Sequence, residues 1–578
     1  MTAEESLFSK YPEYIHKDNS AESDYFSLIR KLLVSQRESG ESATEIDALY
    51  ALVEREILSS DLDPVRPVSF GTSGWRGVLG KDITLRSVAQ VTRAIVEMYE
   101  ALDTDPSLAS LLGFTTSAAA KKAGCIVGHD NRFAGPILGN AAAGVLSEAG
   151  FKVFYAGEST TGVLSAAVMV RQCAFSVNLT PSHNPLEYGG YKFNAFDGGP
   201  AEKSITERIT TNARRIIDRE SGKKSSCIPP TMQIEQRENV SVFDSFSCWD
   251  TLVCDNEGRH GLNRQTLLAA CSERSDLVIA IDCVHGASRL HIRRLLGARE
   301  NPCVHLLRDS ADVTFGGVSP EPSSKNMQGV IRFLASQDTP LKIGAVIDPD
   351  GDRIRFTDGS VEINMNQFGA LAYHFLHTHK KKKGLVAKTV ATSNLANEIA
   401  AGFGEEIFEP AVGFKNFKPV IGRALVLFEE SDGISILGHT PEKDAYIGLI
   451  LALDMVLTTG INLGDYQRLI EKEFGAYYPG RGGIAVSLQG PALRDKLSLL
   501  DRYVAGSSVE VGGREKTVLE LITVDGHKMV FDDGSWIMIR PSGTEPKVRF
   551  YVESRTREGT DLLVDTAKRL LQETGVLS

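Results

Sequence analysis

The spacing of apolar and polar positions divides the chain near residue 65. Before this point, SAESDYFSLIRKLLVSQ (20–36) and EIDALYALVEREIL (45–58) mix apolar and charged residues in the manner of surface helices. From Phe70 onward another unit recurs, in which a short apolar strand ends in a polar loop rich in Gly or Pro and a helix-like stretch follows. Examples of this unit are CIVGHDNR, FSVNLTPSHNP, LVIAIDCVHGA, IGAVIDPDGDR and LVLFEESDG.

Alternating strands and helices predict α/β domains with mainly parallel sheets. In such sheets ligands bind at the carboxyl ends of the strands, which is where these polar loops fall. The last part of the chain differs, because SWIMIRPSGTEPKVRFYVES (535–554) reads strand, loop and strand before a terminal helix. This order predicts an α+β domain at the end of the chain.

The length of the chain indicates several domains. A chain of 578 residues is too long for a single core, and its composition breaks near residues 221–230, 358–360 and 458–464. We therefore predict a helical N-terminal extension followed by four domains, at residues 1–65, 66–245, 246–360, 361–465 and 466–578.

Composition and charge exclude several classes of protein. Apolar residues make up 42% of the chain and charged residues 24%, which is typical of a soluble globular protein. The formal net charge of -11 argues against a nucleic-acid partner, because duplex binding needs a basic face. No apolar run reaches membrane-spanning length, MTAEESLFSK lacks the blocks of a signal peptide, and the scattered cysteines form no CxxC pair. We expect a cytoplasmic protein with no membrane partner.

The loop TPSHNP places Ser182 between Pro181 and Pro185, which stiffen both flanks of the turn. Serine is a weak nucleophile unless a base or a charged neighbour activates it, and the hydrolase motif GxSxG does not occur in this loop. A rigid turn with a capping serine is the simpler interpretation. Lys192, ten residues further on, is either an aid to the serine or an ordinary surface charge.

The loop DPDGDR places Asp348, Asp350 and Asp352 at alternating positions after an apolar strand. Three carboxylates on one short loop suit Mg²⁺, which prefers oxygen ligands in a compact octahedral shell. An EF-hand is excluded, because its glycine belongs at position 6 and its glutamate at position 12, where this chain has Arg353 and Gly359. The alternative is an acidic surface turn, in which three like charges would repel one another without a cation.

Two further loops carry groups that suit sugars and phosphates. Glu429 and Ser431 in FEESDG could bind sugar hydroxyls, although a helix N-cap with an acidic first turn has the same residues. RPSGTEP, which begins at Arg540, gathers guanidinium, hydroxyl and amide donors that match a phosphate, with a plain hairpin turn as the alternative. Upstream, FGTSGWRG and GHDNR each contain one arginine, Arg76 and Arg132, which alone could form a surface ion pair.

The order of these motifs is more specific than any one of them. FGTSGWRG, GHDNR, TPSHNP, DPDGDR, an ExS loop and RPSGTEP follow one another over residues 70–550. In this the chain resembles the α-D-phosphohexomutase superfamily, whose phosphoglucomutases and phosphomannomutases carry these motifs in this order. The resemblance implies three α/β domains with mainly parallel mixed sheets. It also implies a C-terminal α+β domain like the TATA-binding protein, with all four domains around a central cleft.

The resemblance also implies roles for individual residues. Ser182 would be the serine that is phosphorylated in the resting enzyme, and Lys192 takes the place of a lysine proposed as general base in relatives. Arg76 and His183 would complete the catalytic group. The implied ligands of Mg²⁺ are Asp348, Asp350, Asp352 and Ser182.

Substrate-binding residues follow from the same resemblance, with Arg132 as a further site residue. Those implied are Arg353, Lys415, Glu429, Ser431, Arg540, Ser542, Gly543, Thr544 and Arg549. The chain departs from many relatives at Gly433, where a GExSGH variant has a histidine, and at Ala445, where relatives often have DG. An acid–base role for that histidine is therefore absent, and the departures bear on substrate preference more than on reaction type.

The implied activity is a Mg²⁺-dependent interconversion of glucose 1-phosphate and glucose 6-phosphate through a phosphoserine. Glucose 1,6-bisphosphate would be the intermediate and activator, sugar phosphates the partners, and the enzyme a monomer or homodimer. Phosphates of mannose, glucosamine or a pentose are alternative substrates. A catalytically idle sugar-phosphate sensor and a serine phosphatase are two alternatives of other kinds, and the intact Ser182 and Arg540 argue against the idle protein.

Overall fold

The N-terminal residues form helices that pack on the first of four sheets in this computed structural model. The structure describes residues 3–17, 19, 22–39, 43–71, 74–224, 234–297, 301–488, 490–542 and 547–577, and the statements below concern these residues. The helices of the N-terminal extension are α1 (Ala3–Lys10), α2 (Tyr25–Ser39) and α3 (Ala43–Ser59). Each buries apolar residues on one face, as the sequence pattern predicts.

The first sheet, which defines domain I, has six strands in the order β1-β5-β4-β2-β3-β6. Strands β2, β3, β4 and β6 are parallel to one another, whereas β5 runs antiparallel to both β4 and β1. The strands are β1 (Trp75–Val78), β2 (Cys125–His129), β3 (Val153–Glu158), β4 (Phe175–Leu179), β5 (Tyr188–Asn194) and β6 (Val240–Val242). The helices are α4 (Leu85–Glu100), α5 (Ala109–Leu112), α6 (Ser117–Ala123), α7 (Gly135–Glu148), α8 (Thr161–Arg171) and α9 (Lys203–Glu220).

Domain II is built on a five-stranded sheet in the order β11-β10-β9-β7-β8, in which β10 and β11 are antiparallel. The strands are β7 (Leu277–Asp282), β8 (Val304–Leu307), β9 (Leu341–Ile347), β10 (Ile354–Thr357) and β11 (Glu362–Ile363). The helices are α10 (Ser245–Asp255), α11 (Glu257–His260), α12 (Arg264–Ser272), α13 (Ser288–Leu295) and α14 (Ser324–Ala335).

Domain III has a four-stranded sheet in the order β13-β12-β14-β15, with only the pair β14–β15 antiparallel. The strands are β12 (Val386–Lys388), β13 (Ile407–Phe408), β14 (Val426–Glu429) and β15 (Gly433–Ile436). The helices are α15 (Met365–Thr378), α16 (Leu395–Phe403), α17 (Ala445–Thr459) and α18 (Leu463–Phe474).

Domain IV is the antiparallel α+β domain that the sequence predicts, with six strands in the order β16-β21-β20-β19-β18-β17. The strands are β16 (Tyr478–Ala485), β17 (Ser508–Val511), β18 (Arg514–Ile522), β19 (His527–Phe531), β20 (Trp536–Pro541) and β21 (Lys547–Ser554). The helices are α19 (Gly490–Leu497) and α20 (Arg557–Glu573). The fold is therefore three α/β domains with mixed sheets and a C-terminal domain of the TATA-binding-protein kind, as predicted.

The buried apolar residues form three large cores. The first joins the N-terminal helices to domain I and includes Phe315 of domain II. The second is shared by domains II and III and includes Val163 and Ala166 of α8 in domain I, and the third belongs to domain IV. A small cluster of Val390, Ala391, Trp536, Met538 and Tyr551 packs domain IV against domain III.

Among the described residues, no single helix is long and apolar enough to cross a membrane. Helices α17 and α18 meet the requirement only as a pair, and they are bent by 77° relative to one another.

Candidate active site

Ser182 lies in a tight turn directly after β4 and is almost completely buried. Its backbone has φ +59°, a left-handed conformation that is uncommon for a residue with a Cβ and has to be held by its surroundings. The Ser182 N–H donates to Thr180 Oγ1 at 2.9 Å, and the Thr180 hydroxyl donates to Asp130 Oδ2 at 2.6 Å. The serine is thus presented in one fixed position.

Arg132 holds the same turn from the other side. Its guanidinium donates to the carbonyl oxygens of Ser182 at 2.6 Å and Pro185 at 2.7 Å, and also to that of Asn184. The side chain is buried and pairs with Asp130 at 3.4 Å. Arg132 is therefore an internal support of the serine turn and not a surface ion-pair former.

The three aspartates of the loop after β9 are buried together, and their carboxylate oxygens lie within 4.8 Å of one another. The Ser182 hydroxyl donates to Asp348 Oδ2 at 2.8 Å, which joins the serine turn to this loop. Asp350 Oδ1 and Asp352 Oδ1 are buried and have no hydrogen-bond partner. Buried carboxylate oxygens without partners, on an oxygen-only set of ligands, fit a hard divalent cation. The acidic surface turn that was the alternative is excluded by this burial.

Lys192 on β5 points at the aspartates and is not a surface charge. Its ammonium donates to Asp350 Oδ2 at 2.5 Å and to Asp352 Oδ2 at 2.8 Å. Burial alone would lower the pKa of Lys192, but the carboxylates of Asp350 and Asp352 outweigh burial and raise it. The lysine therefore offsets part of the negative charge of the loop.

A cleft of about 610 Å³ opens beside the serine turn and is lined by residues of all four domains. Arg76, His183 and Arg353 line it close to the aspartate loop. Burial lowers the pKa of His183 well below its usual value, and the nearby charges of Arg353 and Arg76 act in the same direction. His183 is therefore neutral near pH 7, with its Nδ1 at 3.4 Å from the Ser182 hydroxyl.

The ExS loop after β14 lines the same cleft. The Ser431 hydroxyl donates to Glu429 Oε1 at 2.8 Å, while the buried Glu429 Oε2 has no hydrogen-bond partner. Lys443 extends between two loops, with its ammonium 3.4 Å from Asp352 Oδ2 and 3.5 Å from Glu429 Oε1. A Cβ at Gly433 would lie 2.2 Å from Lys443 Cδ, so the lysine takes the space that a larger side chain at 433 would need.

Sequence reasoning missed Lys443, although it lies in GHTPEKDA, a segment considered only for Ala445. It also missed Glu442, a neighbour that lines the cleft and whose pKa is raised by burial to about 7. The signal was available as a charged pair directly before the N-cap Asp444 of a largely apolar helix, where a buried charge needs a partner.

Domain IV contributes the cationic end of the cleft. Arg540, Ser542 and Arg549 line it, and Arg540 lies directly opposite Arg549 on the paired strands β20 and β21. Arg481 and Lys547, which the sequence analysis did not single out, line it as well. The predicted residues Gly543 and Thr544 lie outside the described residues. This density of positive charge suits a phosphate dianion.

Lys415, a predicted substrate-binding residue, is not among the residues that line the cleft. Its segment gives Val412, Gly413 and Phe414 to the lining of the cleft, but not Lys415 itself. Burial lowers the pKa of Lys415, followed by the charge of Lys203 on α9.

Comparison with known proteins gives the same family over most of the chain. Sequence models of the phosphoglucomutase/phosphomannomutase family match its alpha/beta/alpha domains I, II and III and its C-terminal domain, at residues 67–220, 260–360, 364–473 and 500–569.

Individual relatives are similar over nearly their whole length. A probable phosphoglucosamine mutase of Methanosphaera stadtmanae is 27% identical over 85% of this chain and 95% of its own. A phosphoglucomutase/phosphomannomutase of Thermococcus kodakarensis is 26% identical over 87% of this chain and 98% of its own. The crystal structure of a putative phosphomannomutase from Thermus thermophilus superimposes with a TM-score of 0.67, at 24% identity, over 88% of this chain and 99% of that one. These relatives are named for different sugars.

Proposed function

Because this chain belongs to the phosphoglucomutase/phosphomannomutase family of the α-D-phosphohexomutase superfamily, we propose that it interconverts glucose 1-phosphate and glucose 6-phosphate. The protein is a phosphohexomutase, an intramolecular phosphotransferase, and the proposal concerns the sugar and the residues. The observation that carries it is the hydrogen bond of 2.8 Å from the buried Ser182 hydroxyl to Asp348, beside a cleft whose other end is lined by arginines.

In the proposed cycle Ser182 carries a phosphoryl group. A free hydroxyl of the sugar attacks the phosphorus, the bond from phosphorus to Ser182 Oγ breaks, and the net proton moves from the sugar hydroxyl to the serine oxygen. The bisphosphate then reorients in the cleft, so that its other phosphoryl group faces Ser182 and is transferred to it by the reverse step. Lys192 is our candidate for handling the proton, since its ammonium is buried beside this position.

The partnerless oxygens of Asp350 and Asp352 support Mg²⁺ as the cofactor, with Asp348 and Ser182 as the further ligands. When bound there, Mg²⁺ neutralises charge on the transferring phosphoryl group. The arginines of domain IV would hold the phosphate that is not transferred, and this contact leaves the reacting end of the sugar at the serine.

Glu429, Ser431 and Lys443 are proposed to bind the hydroxyl groups of the sugar. We expect glucose 1-phosphate and mannose 1-phosphate both to react, with glucose preferred, because discrimination by one hydroxyl is modest unless a buried group reads it. Glucosamine phosphate is a competing substrate, since one relative is named for it, and a pentose phosphate is the remaining alternative.

The experiment is a panel of hexose and pentose 1-phosphates, each with and without its 1,6-bisphosphate or equivalent, in which product and free phosphate are measured. Release of free phosphate alone would indicate a phosphatase, no turnover of any sugar an idle protein, and brisk turnover of another sugar a different substrate. The Ser182→Ala protein should lose nearly all turnover, and its peptide around residue 182 should carry no phosphate. The control Ser204→Ala, on the exposed face of α9, should keep both the turnover and the phosphate on Ser182.

The cysteines support a reducing compartment. Every cysteine in the described part of the chain is a free thiol, and most of them are buried. Together with the family, this favours the cytoplasm.

A further inference from the structure

The N-terminal helices lie before residue 67, where the family match begins. Their buried residues, such as Leu28, Leu49 and Val53, belong to the same apolar core as domain I, and this core also contains Phe315 of domain II. The extension is thus an integral part of the packing around both domains.

Helix α2 contacts the segment that follows the serine turn. Arg30 Nη1 lies 2.8 Å from Glu187 Oε1, and Glu187 is five residues after Ser182. The Glu187 carbonyl accepts a hydrogen bond of 2.9 Å from the Leu79 N–H, which fixes this segment against the end of β1. Arg30 therefore secures the return of the chain from the turn into β5.

The same helix contacts domain II at positions one turn and two turns after Arg30. Arg30, Leu33 and Arg37 are spaced so that they share one face of α2. A Cβ at Gly317 would lie 2.6 Å from Arg37 Nη2 and 3.7 Å from Leu33 Cβ, which shows how closely α2 approaches this segment. Residues 319 and 321, just beyond it, line the cleft.

Helix α3 packs behind Arg132, the support of the serine turn. The Tyr50 ring lies against Phe133, with ring centroids 4.6 Å apart. The Arg132 guanidinium lies 4.9 Å from the centroid of Phe315, which is completely buried. Phe315 therefore packs on the arginine that holds three carbonyl groups of the turn, and Tyr50 packs on the residue that follows this arginine.

Contacts continue from this region to the aspartate loop. Asn131 Nδ2, next to Arg132, donates to the His285 carbonyl at 2.6 Å. Ala287 N–H, two residues further on, donates to the Pro349 carbonyl within the aspartate loop at 2.7 Å. One set of contacts thus joins the extension, the serine turn and the aspartate loop.

We propose that α2 and α3 are a brace that fixes the serine turn of domain I relative to the aspartate loop of domain II, with Arg30 and Tyr50 as positioning residues. This rests on the proposed role of Ser182 as phosphoryl carrier. Neither residue touches the substrate, so their loss should lower the rate of transfer while substrate affinity, set by domain IV, stays unchanged.

The test compares Arg30→Ala and Tyr50→Leu with two controls elsewhere in the N-terminal extension, one on α3 and one on α1. Arg55→Ala removes an ion pair to Glu4 of 2.7 Å that lies within the extension, and Leu7→Ala removes buried apolar surface from α1. Steady-state kinetics give kcat and KM, and hydrogen exchange of the free protein reports on residues 180–187.

We expect kcat to fall about two- to fivefold in Arg30→Ala, as for loss of one partly exposed ion pair, and about tenfold in Tyr50→Leu, both with unchanged KM. Hydrogen exchange at 180–187 should become faster in both variants and stay unchanged in the controls. Exchanging the charges in the double variant Arg30→Glu/Glu187→Arg should restore most of the kcat and of the exchange protection that Arg30→Ala loses.

Unchanged kcat and exchange in the first two variants, or the same losses in Arg55→Ala and Leu7→Ala, would overturn the brace. Failure of the proposed function would be seen separately, as an inactive wild-type protein or a Ser182 that never carries phosphate. The exchange measurement needs no substrate and decides the structural part in either case.

Discussion

At the scale of single residues, the site is a balance of buried charges. The aspartate loop has three carboxylates, and the buried cations that contact it are Lys192 and Lys443, with Arg353 at 3.6 Å from Asp352. Two carboxylate oxygens are left without a donor. A divalent cation is the group that such a set of oxygens lacks.

We expect Asp350→Asn to weaken metal binding while keeping the shape of the side chain. The change removes one anionic ligand, so half-maximal activity should need at least about tenfold more Mg²⁺. Activity measured against Mg²⁺ after chelation, together with calorimetry of Mg²⁺ binding, checks this. Asp338→Asn, on the surface of domain II, is the control, and wild-type metal dependence in Asp350→Asn would contradict the assignment.

Arg540 should determine affinity for the phosphate that is not transferred. Loss of a charge-assisted contact to a dianion costs about 1.5–3 kcal/mol, so Arg540→Ala should raise KM about ten- to a hundredfold. Arg540→Lys keeps the charge without the planar fork, so its KM should lie between those of the wild type and Arg540→Ala. Kinetics at saturating bisphosphate, with the exposed Arg514→Lys as control, measure this, and an unchanged KM in both Arg540 variants would remove the residue from the site.

The residues that could be predicted are those whose partners are close in sequence. The aspartates of DPDGDR alternate on one short loop, so their convergence follows from the local pattern. Arg132 and Lys443 have partners far along the chain, and their spacing gives no sign of those contacts. Sequence reasoning therefore assigned Arg132 only a general place in the site and did not find Lys443.

At the scale of elements, the strand ends were predictable and the turns between them were not. Alternating strands and polar loops indicate a parallel sheet, and β4, β9 and β14 do carry the serine turn, the aspartate loop and the ExS loop at their carboxyl ends. The turn from β18 to β19 has no such pattern. Gly526 there has φ +90°, and a Cβ on it would lie 2.4 Å from the Ile539 carbonyl oxygen, so only glycine lets this turn lie against β20.

Asp525, in the same turn, contacts both domain IV and domain III. Its Oδ2 pairs with Arg540 Nε at 3.0 Å and accepts the Val412 N–H of domain III at 3.0 Å. Because Val412 lines the cleft, this carboxylate links the position of Arg540 to the docking of domain IV on domain III.

We expect Asp525→Asn to raise KM about three- to tenfold, because the arginine loses its charged partner while the turn keeps an acceptor of the same size. The thermal midpoint should change little. Asp501→Asn, which removes an exposed partner of His527 beside the same turn, should leave KM unchanged. A KM equal to that of the wild type in Asp525→Asn would show that Arg540 is positioned without it.

At the scale of the whole molecule, domain IV is attached to domain III by an apolar cluster with a buried lysine at its edge. Lys528 on β19 is 2% exposed, donates to the Val390 carbonyl at 2.8 Å and lies 4.2 Å from the Trp536 ring centroid. Burial lowers its pKa to about 7, with a further contribution from Lys388. The carboxylates facing it are Glu409, Glu520 and Glu553.

The lowered pKa of Lys528 predicts a stability that depends on pH. Between about pH 7 and pH 10 the unfolded chain keeps a proton on this lysine that the folded protein has lost, so the free energy of unfolding rises with pH in that window. Relative to Lys528→Met, the wild type should gain about 2–3 kcal/mol from about pH 6 to about pH 9.

Urea unfolding of both proteins at each pH measures this difference. Lys568→Met, an exposed change on α20, is the control and should show no such dependence. A constant difference between the wild type and Lys528→Met across the window would mean that the lysine remains charged when folded.

The distribution of the cores has a consequence for synthesis on the ribosome. The core of domain I draws on residues from 7 to 240 and is then completed by Phe315, so it closes while domain II is still emerging. The joint core of domains II and III extends from Val163 to Tyr477, so it can be complete only after Tyr477 has left the exit tunnel. Between these two events, apolar residues of the second core are not yet fully covered, and the nascent chain is most prone to aggregate. Slow codons placed after Tyr477 would give this core time to close before domain IV is made.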